Sequence, residues 1–259
     1  MNPDFDYTRL NAEVIDRWVE EGWEWGRPIS AAEYERTLAG DWRMLLTPTR
    51  PVPREWFPPL RGLRVLGLAA GGGQQMPIFA ACGCECTVLD YSARQLESER
   101  LVSEREGYSI DIVRADMTRP LPFEDGRFEL IFHPVSNCYI RDVSHVWREC
   151  ARVLKPGGLL MAGLDNGINF LFEDGDETRI SGRLPFDPLE NPDQLDQLMR
   201  EDCGVQFSHT IEEQIAGQIK AGFELLDVYA DTNGEGFLKE RGVPAFWATL
   251  ARKKPAPTP

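Results

Sequence analysis

Residues 64–75 read Arg64-Val65-Leu66-Gly67-Leu68-Ala69-Ala70-Gly71-Gly72-Gly73-Gln74-Gln75. An apolar run of strand character passes straight into three glycines and then into residues that can open a helix. Glycines let a ligand approach the backbone, and the first turn of a helix offers unpaired N–H groups. The next strand, Cys84 to Asp90, ends on an acid nineteen positions after Gly71. A carboxylate at that place can accept hydrogen bonds from both hydroxyls of a ribose. The strand after it, Ser109 to Ala115, leads into Asp116 and Met117. There Asp116 can accept from an amino group of a base, and Met117 can pack on its ring. All three groups would meet at the carboxyl edge of a parallel sheet.

Outward from this stretch the pattern alternates. Ser92 to Glu106 reads as a helix and Phe128 to Phe132 as a fourth strand. Val143 to Leu154 reads as a helix, stopped by Lys155-Pro156-Gly157-Gly158, and Leu159 to Leu164 as a fifth strand. After an interruption come a helix over Ile211 to Ala221 and strands over Phe223 to Asp231 and Val243 to Ala251. Strands alternating with helices predict an α/β, doubly wound, Rossmann-like sheet. The interruption, residues 165–208, is acidic, with scattered Gly and Pro, and reads as a cap-like insertion after strand five. Residues 1–60 precede the sheet and hold two helices, Ala12 to Glu21 and Ala31 to Leu38. They also hold the proline-rich connector Thr47 to Pro53 and five of the 7 tryptophans: Trp18, Trp23, Trp25, Trp42 and Trp56. They are expected to form a helical lid on a domain spanning 61–259.

Composition narrows the partners. The 259 residues carry a net charge of −14, with a pI near 4.7. This argues against a nucleic-acid backbone as the main partner, because phosphate binding needs concentrated positive charge. No apolar run is long enough to span a bilayer, and the first residues lack a signal-peptide pattern, so a cytoplasmic protein is expected. The six cysteines fit a reducing compartment. Cys82, Cys84 and Cys86 are spaced too closely for paired zinc ligands and read as small apolar residues entering a strand, so no metal site is expected. A nicotinamide fingerprint would place a third glycine where Met76 stands, and a phosphate-binding P-loop would need a lysine that is absent.

The glycine loop, Asp90, the Ala115-Asp116-Met117 step and the run Ala151-Arg152-Val153-Leu154-Lys155-Pro156-Gly157-Gly158 together resemble the class I S-adenosylmethionine-dependent methyltransferases, in their broad type 11 small-molecule group. The resemblance covers residues 60–165 and extends to the last two strands. It implies a seven-stranded sheet with the last strand antiparallel, S-adenosyl-L-methionine across its edge, and methyl transfer by direct displacement to a small-molecule acceptor. Carried over residue by residue, it implies Ala69, Gly71, Gly73, Gln74 and Gln75 around the methionine part and Asp90 at the ribose. Tyr91 and Gln95 would flank them, with Asp116 and Met117 at the adenine. His133 stands where relatives place a residue beside the reactive methyl, and is a candidate proton acceptor. The chain departs from the family's first motif: Gly67 replaces an acid and Ala69 a glycine, and Gln74 or Gln75 is expected to compensate. A protein that holds the cofactor without turnover is the alternative reading, and an RNA methyltransferase a weaker one.

Overall fold

The computed structural model describes residues 5–172 and 176–255. The first four residues, three residues of the insertion and the end of the tail lie outside the described residues. In chain order the elements are α1 (Tyr7–Glu20), α2 (Ala31–Leu38), β1 (Arg64–Leu68), α3 (Gln75–Ala81), β2 (Glu85–Asp90), α4 (Ala93–Glu106), β3 (Ile110–Arg114) and β4 (Phe128–His133). They continue as α5 (Val143–Val153), β5 (Leu154–Asp165), α6 (Pro192–Glu201), α7 (Ile211–Lys220), β6 (Phe223–Asp231), α8 (Phe237–Glu240) and β7 (Phe246–Lys253).

Among the described residues the strands form one seven-stranded sheet in the order β3-β2-β1-β4-β5-β7-β6. The pairs from β3 through β5 are parallel, and β7 runs antiparallel to both β5 and β6. The expected doubly wound sheet with an antiparallel last strand is thus observed. Side-chain alternation in each strand splits the core in two. Leu66, Leu68 and Leu89 pack with Trp147, Cys150 and Val153 of α5 on one face. Val65, Val88 and Phe132 pack with Met76 and Phe79 of α3 and Leu96 of α4 on the other. Trp147 is fully buried, and its indole N–H donates to the Glu213 carbonyl at 2.9 Å, which fastens α5 to α7. The same alternation explains the close cysteines: Cys86 is buried in the α3 face and Cys84 packs against it.

Met44, Leu46, Val52 and Trp56 belong to that same buried cluster, so the proline-rich connector is built into the core. Trp56 adds a hydrogen bond from its indole to Asp227 at 2.9 Å. Several elements differ from the sequence reading. α1 begins at Tyr7, five residues before the expected Ala12, because Asp6 caps it, and β7 is shifted from the expected Val243 to Ala251 onto Phe246–Lys253. The short helix α8 was not expected. The fifth strand starts at Leu154, because the chain turns extended as soon as α5 ends and Leu154 pairs with Phe128 across a bulge. The insertion contains a helix, α6, with Asn191 capping it and Pro192 in its first turn.

Candidate active site

β1 lies between β2 and β4, so the sheet is built outward in both directions from β1. Such a switch point opens a crevice at the carboxyl ends of the strands. A cavity of about 300 Å³ fills it. Its floor is made by Ala69, Ala70 and Gly71 after β1, Asp90 and Tyr91 after β2, Asp116 and Met117 after β3, and Pro134 to Ser136 after β4. Its roof comes from outside the sheet: Thr8, Asn11 and Ile15 of α1, then Trp23, Trp25 and the segment Leu45 to Pro48.

The glycine loop is held from below by carboxylates. The Gly71 amide donates to Asp90 Oδ2 at 3.1 Å and the Ser92 amide to Oδ1 at 3.0 Å. The Gly73 amide donates to the buried Glu99 at 3.0 Å. A Cβ on Gly72 would stand 2.6 Å from the Trp25 carbonyl and 2.7 Å from Gln95 Oε1, so only glycine fits there. Ala69 adopts φ 47°, in the left-handed region, which the glycine of the resembled motif would adopt without strain. The absent acid has a steric reason: a Cβ at Gly67 would come within 2.5 Å of the Met76 sulfur. Met76 fills the space an acidic side chain would need. Gln74 does not replace that acid, because its amide donates to the carbonyls of Glu24 and Arg27 at 2.7 and 3.1 Å and ties the roof to the loop.

Electrostatically the floor is acidic. Burial pushes the Asp90 carboxyl up to about 6, against the lowering effect of its backbone donors. Burial also raises Glu99 to about 8. Asp116 accepts the Thr118 amide at 2.8 Å on one oxygen and the Thr8 hydroxyl at 2.9 Å on the other. The start of α1 is therefore bonded to the residue expected at the adenine.

Ala69, Gly71, Gln74, Gln75, Asp90, Tyr91, Gln95, Asp116 and Met117 all line the cavity. Two expected residues do not. Gly73 faces α4, with its amide spent on Glu99 and a Cβ there meeting the Ser98 carbonyl at 2.8 Å. His133 is fully buried below the floor. Its Nδ1 lies 2.8 Å from the Leu68 carbonyl and its Nε2 2.8 Å from Asn137 Oδ1. Burial lowers its pKa, and it acts as a fixed strut between β1 and the loop after β4, not as a group facing a methyl. His209 is also buried, with Nε2 against the Asn137 and Ile140 carbonyls. Sequence reasoning missed Thr8 and Glu99, because Thr8 reaches Asp116 from far away in the chain and Glu99 lies under the loop.

The groups on the floor fit the cofactor that the sequence implies. Asp90 lines the cavity at the end of β2, with its two oxygens accepting the Gly71 and Ser92 amides, and Gln95 carries a buried Oε1 with no partner among the described residues. This strand order, with its antiparallel strand between β5 and β6, and this floor are those of a class I S-adenosylmethionine-dependent methyltransferase, and the chain belongs to that family. A methyltransferase-domain family profile matches residues 66–162. Over 249 residues the chain is 38% identical to YbaJ of Bacillus subtilis (strain 168), an uncharacterized methyltransferase, covering 94% of this chain and 97% of that one. A ubiquinone biosynthesis O-methyltransferase of Chelativorans sp. (strain BNC1) is 32% identical over 108 residues, 42% of each chain. An S-adenosylmethionine-dependent methyltransferase structure from Mesorhizobium loti shares the fold with a TM-score of 0.60 at 21% identity, covering 77% of this chain and 94% of that one.

Proposed function

We propose that the chain methylates a small-molecule acceptor by direct displacement, with residues 5–40 closing as a lid over the reaction. The observation that carries this reading is the shape of the cavity, which is floored by Asp90, Asp116 and the glycine loop and roofed by Trp23 and Trp25. A roofed cavity of about 300 Å³ suits small molecules better than a macromolecule. The charge of −14 speaks equally against RNA.

In this reading Asp90 accepts the ribose hydroxyls, Asp116 and Met117 take the adenine, and Ala69, Gly71 and Gln75 border the methionine part, flanked by Tyr91 and Gln95. S-adenosylmethionine supplies an electrophilic methyl group on a sulfonium. The chain's task is alignment: holding the acceptor in line and excluding water account for much of the rate when the leaving group is already activated. No histidine is assigned as base, since His133 and His209 are both spent on backbone and amide partners below the cavity. No described residue of 165–208 lines the cavity; the segment instead backs α1, with Asn11 bonded through its side chain to both backbone groups of Val205. Six free thiols fit a cytoplasmic enzyme.

Calorimetric titration tests the reading. S-adenosylhomocysteine is expected to bind, and Asp90→Ala to weaken it by about 2–3 kcal/mol, the worth of a charge-assisted hydrogen bond. Tight NADH binding with no response to S-adenosylhomocysteine overturns the proposal. Full binding without transfer to any of a broad panel of small acceptors supports a protein that holds the cofactor without turnover.

A further inference from the structure

A second cavity of about 600 Å³ lies behind the first and shares walls with it at Trp25, Leu45, Pro48, Gln74 and Gln75. It is bounded on its outer side by α2 and the turn that follows, and its character differs from the first. Arg27, Arg36 and Arg43 line it. None of the three is within ion-pair distance of a carboxylate among the described residues, although the chain is strongly acidic. The side chains of Arg36 and Arg43 make no hydrogen bond there, and Arg27 makes one long bond to the Gly22 carbonyl at 3.3 Å. Of the acids on the same wall, Glu33 is committed to the cap of α2, accepting the Ser30 amide and hydroxyl at 2.8 and 2.7 Å. Glu24 and Asp41 complete the wall, so the lining is mixed in sign; Arg36 and Arg43 act on the Glu33 carboxylate through space, and what distinguishes the wall is three exposed guanidinium forks with no carboxylate in direct contact among the described residues.

Gln75 adds an independent observation. It sits in the shared wall and lines both cavities; its side-chain amide makes no hydrogen bond among the described residues and is not sealed from the cavity space. An amide that faces a cavity with no protein partner has its donors and acceptor free for a ligand there. Arginine is the side chain best suited to carboxylate and phosphate, because its fork gives two parallel charge-assisted bonds.

We infer that this second cavity is a recognition vestibule for a carboxylate or phosphate group carried by the methyl acceptor, gripped by Arg27, Arg36 and Arg43 with Gln75 at the passage to the cofactor cavity. The inference rests on the methyltransferase reading above and adds the chemical class of the acceptor. The apolar part of such an acceptor passes between Trp25 and Leu45, and its acidic group stays in the polar outer space. The cofactor's own methionine carboxylate is the other source of the same chemistry, and the test separates the two.

The experiment titrates malonate and inorganic phosphate into protein saturated with S-adenosylhomocysteine, at constant ionic strength in chloride. Trp25 and Trp42 line the vestibule, so tryptophan fluorescence reports its occupancy. A saturable change is expected with at least one probe, weakened about tenfold in Arg43→Gln and further in Arg36→Gln/Arg43→Gln, in line with the loss of charged hydrogen bonds. A flat titration overturns the inference, as does a response the arginine variants leave unchanged, which marks a general ionic effect. Competition is then measured against S-adenosylhomocysteine and against 5′-methylthioadenosine, which lacks the carboxylate. Malonate that displaces only the former shows the vestibule to be holding the methionine end, and the acceptor inference falls. Failure to bind S-adenosylhomocysteine at all brings down the underlying reading as well. Normal cofactor binding with no anion response brings down the vestibule alone.

Discussion

Gly67 and Met76 illustrate how one missing side chain is accounted for by another. The family's acid at that position has no room here, because the Met76 sulfur occupies it. Gly67→Asp is expected to destabilise the protein by about 2–4 kcal/mol through overpacking and a buried charge. Met76→Ala alone is expected to cost about 2–5 kcal/mol as a cavity. If the two side chains compete for one space, the double variant loses at least about 1 kcal/mol less than the sum, as a double-mutant cycle in urea would show. Strict additivity would place the acid's exclusion elsewhere. Glu99 makes a second prediction at this scale. Its folded value of about 8 lies above the ordinary 4.5, because burial penalises the charge. The folded state therefore binds more protons than the unfolded state between those values, and stability falls as pH rises through that window. Glu99→Gln keeps an acceptor for the Gly73 amide and cannot ionise. Relative to wild type it is expected to gain stability steadily from about pH 5 to about pH 9 in thermal melts. Parallel pH profiles would show that Glu99 is charged in the fold.

At the scale of elements, α1 is held by capping across the chain. Asp16 of α1 accepts the Ser92 hydroxyl at 2.6 Å and the Arg94 amide at 2.9 Å, both at the start of α4. An acidic side chain at a helix N-terminus is favourable for the same reason when it comes from another helix. The neighbouring pair Arg94–Glu20 is exposed and contributes little. Asp16→Ala is expected to cost about 1 kcal/mol, the worth of a helix cap, and to speed amide hydrogen exchange in α1 while leaving β1 and β4 protected. Equal acceleration in the central strands would show that α1 and the sheet open as one unit. The element boundaries follow the same logic. Ala31–Leu38 and Phe223–Asp231 match the sequence reading end to end, because each begins and ends on a local signal: the Ser30–Glu33 capping box at one and Gly222 before the other. The start of β5 does not, because its first residues are extended only through pairing with β4. The signal for α6, Asn191 followed by Pro192, was present and outweighed by the acidic composition around it.

At the scale of the molecule, the division between roof and body falls near residue 40. Met44, Leu46, Val52 and Trp56 are core residues of the sheet's second face. Removal of residues 1–40 is expected to leave a cooperatively melting sheet that has lost methyl transfer and has weakened S-adenosylhomocysteine binding, since the partners of Gln74 and Asp116 go with it. Removal of residues 1–45 also takes Met44 and is expected to cost a further ~2–5 kcal/mol, the price of a large core side chain. Circular dichroism melts and a transfer assay on both truncations check this. Full activity in the shorter protein would make the segment packing alone.

The sequence by itself determined the doubly wound sheet, the place of its ligand crevice, and the carboxylates at the ends of β2 and β3. These are written in local periods: apolar runs, glycines after a strand, and an acid where the next strand stops. Tertiary structure alone decided which of the named groups face the cavity. His133 and Gly73 stand one strand position or one turn from groups that line it, and a single step turns a side chain to the opposite face of the sheet. A cover from residues 1–60 is expected from the sequence, and the tertiary structure decided which of them line the cavity and how they are tied to it. The bonds from Thr8 to Asp116 and from Gln74 to Glu24 join residues that no local pattern relates, and only the folded chain brings them within hydrogen-bond reach.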